Sequence, residues 1–193
     1  MEVHLKRSGI DIKQSNYTFS TYKEKDETSK DMKALAMNYY KNYDSVKSNQ
    51  SNSIALLGSS GIGKSHLQIA LALNFIRKKR VRAIYMPYRD VVSKMKRNMM
   101  DEDFISREIS LYKNAEILII DDLLKGKVND SDVNILFEIV NYRYIKRFPL
   151  IISSEYTIDM LLSFDEAIGS RIYEMCKDYI YETSTGINRR VVK

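Results

Sequence analysis

The eight residues Gly58-Ser59-Ser60-Gly61-Ile62-Gly63-Lys64-Ser65 constrain this chain more than any other stretch. They fit the pattern GxxxxGK[ST] in full and lie between a short apolar run, Ser53 to Leu57, and a helical pattern from Lys64 to about Lys79. Strand, glycine-rich loop and helix, in that order, turn backbone N–H groups inward around phosphate oxygens. The helix presents the positive end of its dipole to the same point. A chance match in a chain of this composition has odds of about 3 in 1,000 before that context is required, which leaves little room for a mere glycine-rich turn. Lys64 is expected to reach the β- and γ-phosphates of ATP, and Ser65 to place its hydroxyl on Mg²⁺. The expected nucleotide-binding residues are Gly58, Ser59, Ser60, Gly61, Ile62, Gly63, Lys64 and Ser65, with His66 beside them as a helix-packing group and not a catalyst.

A second element complements the loop. Ile117-Leu118-Ile119-Ile120-Asp121-Asp122 is four apolar residues ending in two carboxylates, the pattern of a Walker B strand. A buried parallel strand delivers its C-terminal residues to the edge where phosphate loops gather. Asp121 is expected to hold Mg²⁺, directly or through water, and Asp122 to orient or deprotonate the attacking water. The strand read at Val81 to Met86 lies between the two motifs in sequence, so they do not occupy consecutive strands.

Further strands are read at Pro149 to Ser153 and Tyr179 to Tyr181, with helical stretches including Val91 to Met99 and Asp132 to Lys146. This alternation implies an α/β fold of three layers, a central parallel sheet flanked by helices. From about Thr28 to Val46, residues Met32, Leu35, Ala36, Tyr39, Tyr43 and Val46 recur on one helical face. Residues 1–24 are polar, with Tyr17, Phe19 and Tyr22 as their aromatic cluster. The expected division is an N-terminal arm with an amphipathic helix over residues 1–50 and an ATPase domain over residues 51–193.

Composition sets wider limits. The 193 residues suffice for one substantial core, and no stretch approaches the roughly 18 apolar residues of a membrane span. The N-terminus lacks the apolar run of a secretory signal, and the single Cys176 has no internal disulfide partner, so a cytoplasmic setting is expected. His4 and Cys176 offer no metal constellation, since zinc needs about four ligands at suitable spacing. The 31 Lys and Arg against 25 Asp and Glu leave a formal charge of +6, which suits polyanions without deciding for them. Arg77-Lys78-Lys79-Arg80 with Arg82 is the densest basic run; Lys94, Lys96 and Arg97 form a second, and Asn188-Arg189-Arg190 a third. Each reads either as a solvated helix end or as a contact to single-stranded DNA. Met95, Met99 and Met100 read as core or surface filler.

Taken together, SIALLGSSGIGKSHL, IYMPYRDVV, ILIIDDLLKGKVNDSDVNILFEIVNYRY, PLIISSE and EAIGSRIYEMC resemble the DnaC/DnaI class of AAA+ helicase loaders, from about Tyr17 onward. The resemblance implies a AAA+ P-loop NTPase that binds ATP between neighbouring copies, partners a replicative DNA helicase and single-stranded DNA, and self-associates through the nucleotide site. It makes Arg171, in Gly169-Ser170-Arg171-Ile172, the arginine finger, and so a catalytic residue together with Lys64 and Asp122. It places a sensor residue after Pro149 to Ser153, where Ser154 is the expected occupant because a carboxylate at Glu155 would repel the γ-phosphate. Asp122 stands where other branches have Glu, which implies slow or partner-dependent hydrolysis. Only about 22 residues follow Arg171, so a full C-terminal helical lid is not expected, and the arm either covers the adenine base or docks on the core. Some 50 residues precede the ATPase strand without a cysteine cluster, so the helicase grip either has been removed or lies elsewhere. Transposition helpers share these motifs and remain an alternative, as does a nucleotide-dependent DNA-binding module with little turnover. A small-molecule phosphotransferase is disfavoured by the lack of an arginine-rich lid.

Overall fold

The computed structural model describes residues 7–183. His4 and the run Asn188-Arg189-Arg190 lie outside the described residues. Five strands, β1 (Ile54–Gly58), β2 (Ala83–Pro87), β3 (Ile117–Leu123), β4 (Leu150–Ser154) and β5 (Ile180–Thr183), form one sheet in the order β2-β3-β4-β1-β5. Every pairing in it is parallel. Strand β4 thus separates β1 from β3, so the loop after β1 and the carboxylates on β3 face each other across an intervening strand. β1 and β4 are buried along their whole length, as expected of parallel strands covered on both faces.

Side-chain alternation splits the core into two layers. Ile54, Leu56, Ala83, Tyr85, Ile117, Ile119 and Ile151 face one way and pack with helices α1 (Glu27–Val46) and α2 (Lys64–Asn74). Ala55, Leu57, Ile84, Met86, Leu118, Ile120 and Ile152 face the other and pack with α3 (Tyr88–Arg97), α4 (Glu102–Lys113), α5 (Asp130–Lys146), α6 (Ile158–Phe164) and α7 (Glu166–Cys176). Each fully buried Leu or Ile contributes about 1.5–3 kcal/mol, which makes this double layer the main stabilising term. Among the described residues β5 is the last element, and no helical lid follows it.

Helix starts are fixed by side chains that take up orphan N–H groups. Asp26 accepts from Ser29 N, and Asn129 from Asp132 N, each completed by a reciprocal capping contact worth about 1 kcal/mol. α2 continues into a π-helical turn, Phe75–Lys79, which carries the densest basic run. Lys79 there pairs with Asp44 and Arg77 donates to the Ser15 carbonyl, so part of that charge is used within the fold. The arm joins the same body. Ser8 O accepts from Tyr85 N at 2.7 Å on the edge strand β2, and Ile10 and Tyr22 are buried with α1 and α2.

One buried cation ties the second layer together. The Arg143 guanidinium, with no exposed surface, donates to the carbonyls of Tyr112, Lys113, Ala115 and Pro149 at 2.7–3.0 Å. Burial pulls its pKa down to about 9, the nearby Tyr39 and Tyr43 opposing this, so it stays charged at neutral pH. Arg143→Met leaves four buried carbonyls without this donor and is expected to cost about 3 kcal/mol. Thermal denaturation should fall by roughly 6–12 °C, and an unchanged midpoint would show that water replaces the guanidinium without cost.

Candidate nucleotide site

Gly63 begins α2 in a left-handed conformation, φ 105°, a geometry that a side chain would strain. The loop it closes curls around Lys64, whose Nζ donates to Gly58 O at 2.6 Å and Ser59 O at 2.8 Å. Burial lowers the Lys64 pKa, with the carboxylates of Asp122, Glu155 and Asp121 acting the other way. A buried ammonium held only by carbonyls is a strong attractor for phosphate oxygens, which satisfy it better.

On β3 the two acids meet a register shift. Ile120 pairs with Ile152 but Leu123 pairs with Ser154, so Asp121 and Asp122 together oppose Ser153. This bulge points the two carboxylates differently, a common device beside active sites. Asp121 is buried and accepts from Ser65 Oγ at 2.8 Å, Ser153 Oγ at 2.7 Å and the Tyr85 hydroxyl at 2.6 Å. Burial first, then the Asp121 charge, raises the Tyr85 pKa, so the phenol remains a donor. Asp122 has φ 54° and an N–H that donates to Ser153 Oγ at 3.0 Å, while its carboxylate stays partly exposed beside Lys125, at 2.9 Å. Lys125 also pairs with Glu155 at 3.0 Å.

The loop and the acids therefore line one cavity of about 370 Å³, bounded by Ser60, Gly61, Gly63, Lys64, Ser65, His66, Asp121 and Asp122, and walled on the arm side by Gln14 and Tyr17. The Ser65 hydroxyl against the Asp121 carboxylate is a hard-oxygen donor pair of the kind that suits Mg²⁺ with water completing its shell. Among the described residues no group of three or more His, Cys, Asp or Glu is placed to hold a metal alone.

Ser154 stands differently from its expected place. Its hydroxyl is fully buried, donates to Leu123 O at 2.8 Å and accepts from Tyr156 N at 3.1 Å, which turns it into the sheet edge. Ser153, one residue earlier, touches Asp121 instead, because the bulge sets which of the two serines faces the acids. Tyr85, Ser153 and Lys125 are the site residues that sequence reasoning missed. The local hints were that Tyr85 lies within the strand read at Val81 to Met86, and that Lys125 follows Asp122 by three residues. Arg171 lies on α7, outside this cavity: Nε donates to Asn141 Oδ1 at 2.9 Å, Nη1 to Ala167 O at 2.7 Å, and the guanidinium covers Phe137 and Tyr144. The close approach of α6 and α7 that sets its position needs Gly169, where a Cβ would lie 2.7 Å from Leu161 C.

The arm is anchored at the head of α2. Tyr17 stacks on His66 at 4.6 Å, Tyr22 meets its edge at 5.2 Å, and Nε2 lies 3.0 Å from the Thr18 carbonyl, so Nε2 carries the proton. Burial lowers the His66 pKa, opposed by that bond. An unfolded histidine titrates near 6.5, so as pH falls the unfolded chain protonates first. The stability given by the neutral ring is complete above about 6.5 and is lost as pH drops below it. Acidification from neutrality is expected to speed amide exchange in residues 8–22 relative to β3; equal protection at both pH values would contradict this anchoring.

The chain matches the family model IstB_IS21, the IstB-like ATP binding protein, over residues 11–171. It belongs to the IstB-like ATP binding protein family. Within this family's range the match takes in the phosphate loop, both acids and Arg171. Among its relatives, YqaM of Bacillus subtilis (strain 168) is 42% identical over 156 residues, 78% of this chain and 49% of that protein. XkdC, of the phage-like element PBSX in the same organism, is 38% identical over 156 residues, 78% of this chain and 58% of that protein. The chain thus spans about half the length of the curated relatives it matches. Its fold is that of the crystal structure of the DnaC helicase loader, with a TM-score of 0.77 over 90% of this chain and 100% of that one, at 22% identity. The fold is a AAA+ P-loop NTPase.

Proposed function

We propose that this IstB-like protein is an ATP-hydrolysing loader that helps place a replicative DNA helicase on single-stranded DNA during replication. The observation that carries the ATPase part is the 2.8 Å contact between Ser65 and Asp121, which joins phosphate loop and Walker B in one site. The loader part is supported by the fold shared with a protein described as a helicase loader and by one relative from a phage-like element.

Lys64 draws the β- and γ-phosphates into the loop, and Ser65 with Asp121 holds Mg²⁺. The ion supplies positive charge against the phosphate oxygens. Tyr85 and Ser153 fix the Asp121 carboxylate so that it need not reorganise. Asp122 orients the attacking water and takes its proton, while a neighbouring copy contributes Arg171 to the developing charge. Residues 51–193 form the ATPase unit in this reading, and residues 1–50 the arm and helix, whose described part packs on it.

Pull-down with the cognate helicase in ATP, ADP and nucleotide-free states tests the loading role. Capture in the ATP state is expected; no capture in any state contradicts it. A second reading, a transposition helper, is favoured by the family label, which carries the name of insertion sequence IS21. Capture of a transposase on target DNA, with no helicase bound, would select it.

A further inference from the structure

Beside the nucleotide cavity lies a second one of about 510 Å³, between α3 and the loop that follows β3. Arg89, Lys96, Lys125 and Lys127 line it against a single acid, Asp132. Asp132 is matched by Lys96 at 2.6 Å. Arg89 and Lys127 are exposed, and no ion-pair partner for either is found among the described residues. Tyr88 also lines it, with its own hydroxyl buried and without a hydrogen-bond partner. Four cations around a concavity with a single acid suit the chemistry of backbone phosphate.

Lys125 lines this second cavity and contacts Asp122, which borders the nucleotide cavity. Its ammonium holds Asp122 at 2.9 Å and Glu155 at 3.0 Å. Partial burial works to lower its pKa, but the hydrogen bonds to Asp122 and Glu155 outweigh this and the net shift is upward, so it is a full charge. The loop carrying it is strained: Asp122, Leu124 and Gly126 all have positive φ, at 54°, 61° and 103°. A leucine in that region is costly, and strained loops beside a site commonly have a second arrangement within reach.

We propose that Lys125 is a brake on Asp122, released when the phosphate backbone of single-stranded DNA occupies the cavity of Arg89, Lys96 and Lys127. In the braked state the ammonium occupies the carboxylate that must orient water. A phosphodiester in the adjoining cavity competes for the same ammonium and draws it away, which frees Asp122 without moving β3. Lys125 is thus a positioning residue that acts through Asp122, and its role rests on the reading of Asp122 as the water-orienting group.

The test is ATP turnover by wild type, Lys125→Gln and Arg89→Gln/Lys127→Gln, each with and without a deoxythymidine oligonucleotide. Lys125→Gln is expected to raise DNA-free turnover roughly tenfold or more and to lose the response to the oligonucleotide. The double variant should lose the response and, by fluorescence anisotropy, bind the oligonucleotide more weakly. Lys125→Arg restores the brake. Turnover by Lys125→Gln at or below the wild-type rate overturns the proposal, since it would mean that Lys125 assists the phosphate. An unaltered DNA response in the double variant overturns it as well. If neither wild type nor Lys125→Gln turns ATP over, the brake is overturned, whereas the nucleotide site itself fails only if Lys64→Ala binds ATP as tightly as wild type. Circular dichroism melts of each variant identify any loss of fold.

Discussion

Lys64→Ala is expected to lower ATP turnover by at least about 100-fold and to weaken ATP binding in equilibrium titration. The reason lies in the loop, where Nζ is buried and held by two carbonyl oxygens, those of Gly58 and Ser59. These oxygens compensate the ammonium poorly, so phosphate oxygens gain more from it than they would from an exposed lysine. Wild-type turnover in Lys64→Ala would remove the phosphate loop from the chemistry altogether.

Arg171→Ala is expected to reduce turnover by on the order of 10³-fold in assembled protein while leaving ATP affinity nearly unaltered. Within one copy Arg171 is held by Asn141 and Ala167 over the rings of Phe137 and Tyr144, outside its own nucleotide cavity. Such a position contributes to catalysis only toward a neighbour. Mixing therefore separates the possibilities. Lys64→Ala retains the arginine and Arg171→Ala retains the loop, so a mixture of the two should recover part of the activity that each lacks alone. No recovery, together with normal turnover in Arg171→Ala, would assign the arginine to packing of α7 on α5.

The legible parts of the site were the contiguous ones. Gly58 to Ser65 builds its cradle from neighbours in sequence, and Ile117 to Asp122 announces a buried strand by four apolar residues in a row. What stayed hidden depends on register. Ser153 and Tyr85 reach Asp121 across separations of 32 and 36 residues, and only strand order and pairing bring them there. That Ser153 rather than Ser154 touches Asp121 was hidden for the same reason, because a bulge at Asp121 and Asp122 shifts β4 by one position relative to regular pairing. Basic runs are informative in a different way. Lys94 and Lys96, read with Arg97 as a second candidate patch for DNA, pair with Glu108 and Asp132, which lie on other helices. Arg89 and Lys127, isolated in sequence, meet in space instead. The arm's aromatic cluster was visible, but its anchor at His66 required 3D proximity across more than 40 residues.

The most direct measurement of the central claim is the appearance of the cognate helicase on closed circular single-stranded DNA, which has no end to thread. The account predicts that helicase is recovered on the circle with wild-type protein and ATP, and not with Lys64→Ala. Equal recovery with the variant, or with no IstB-like protein at all, would contradict the loading role.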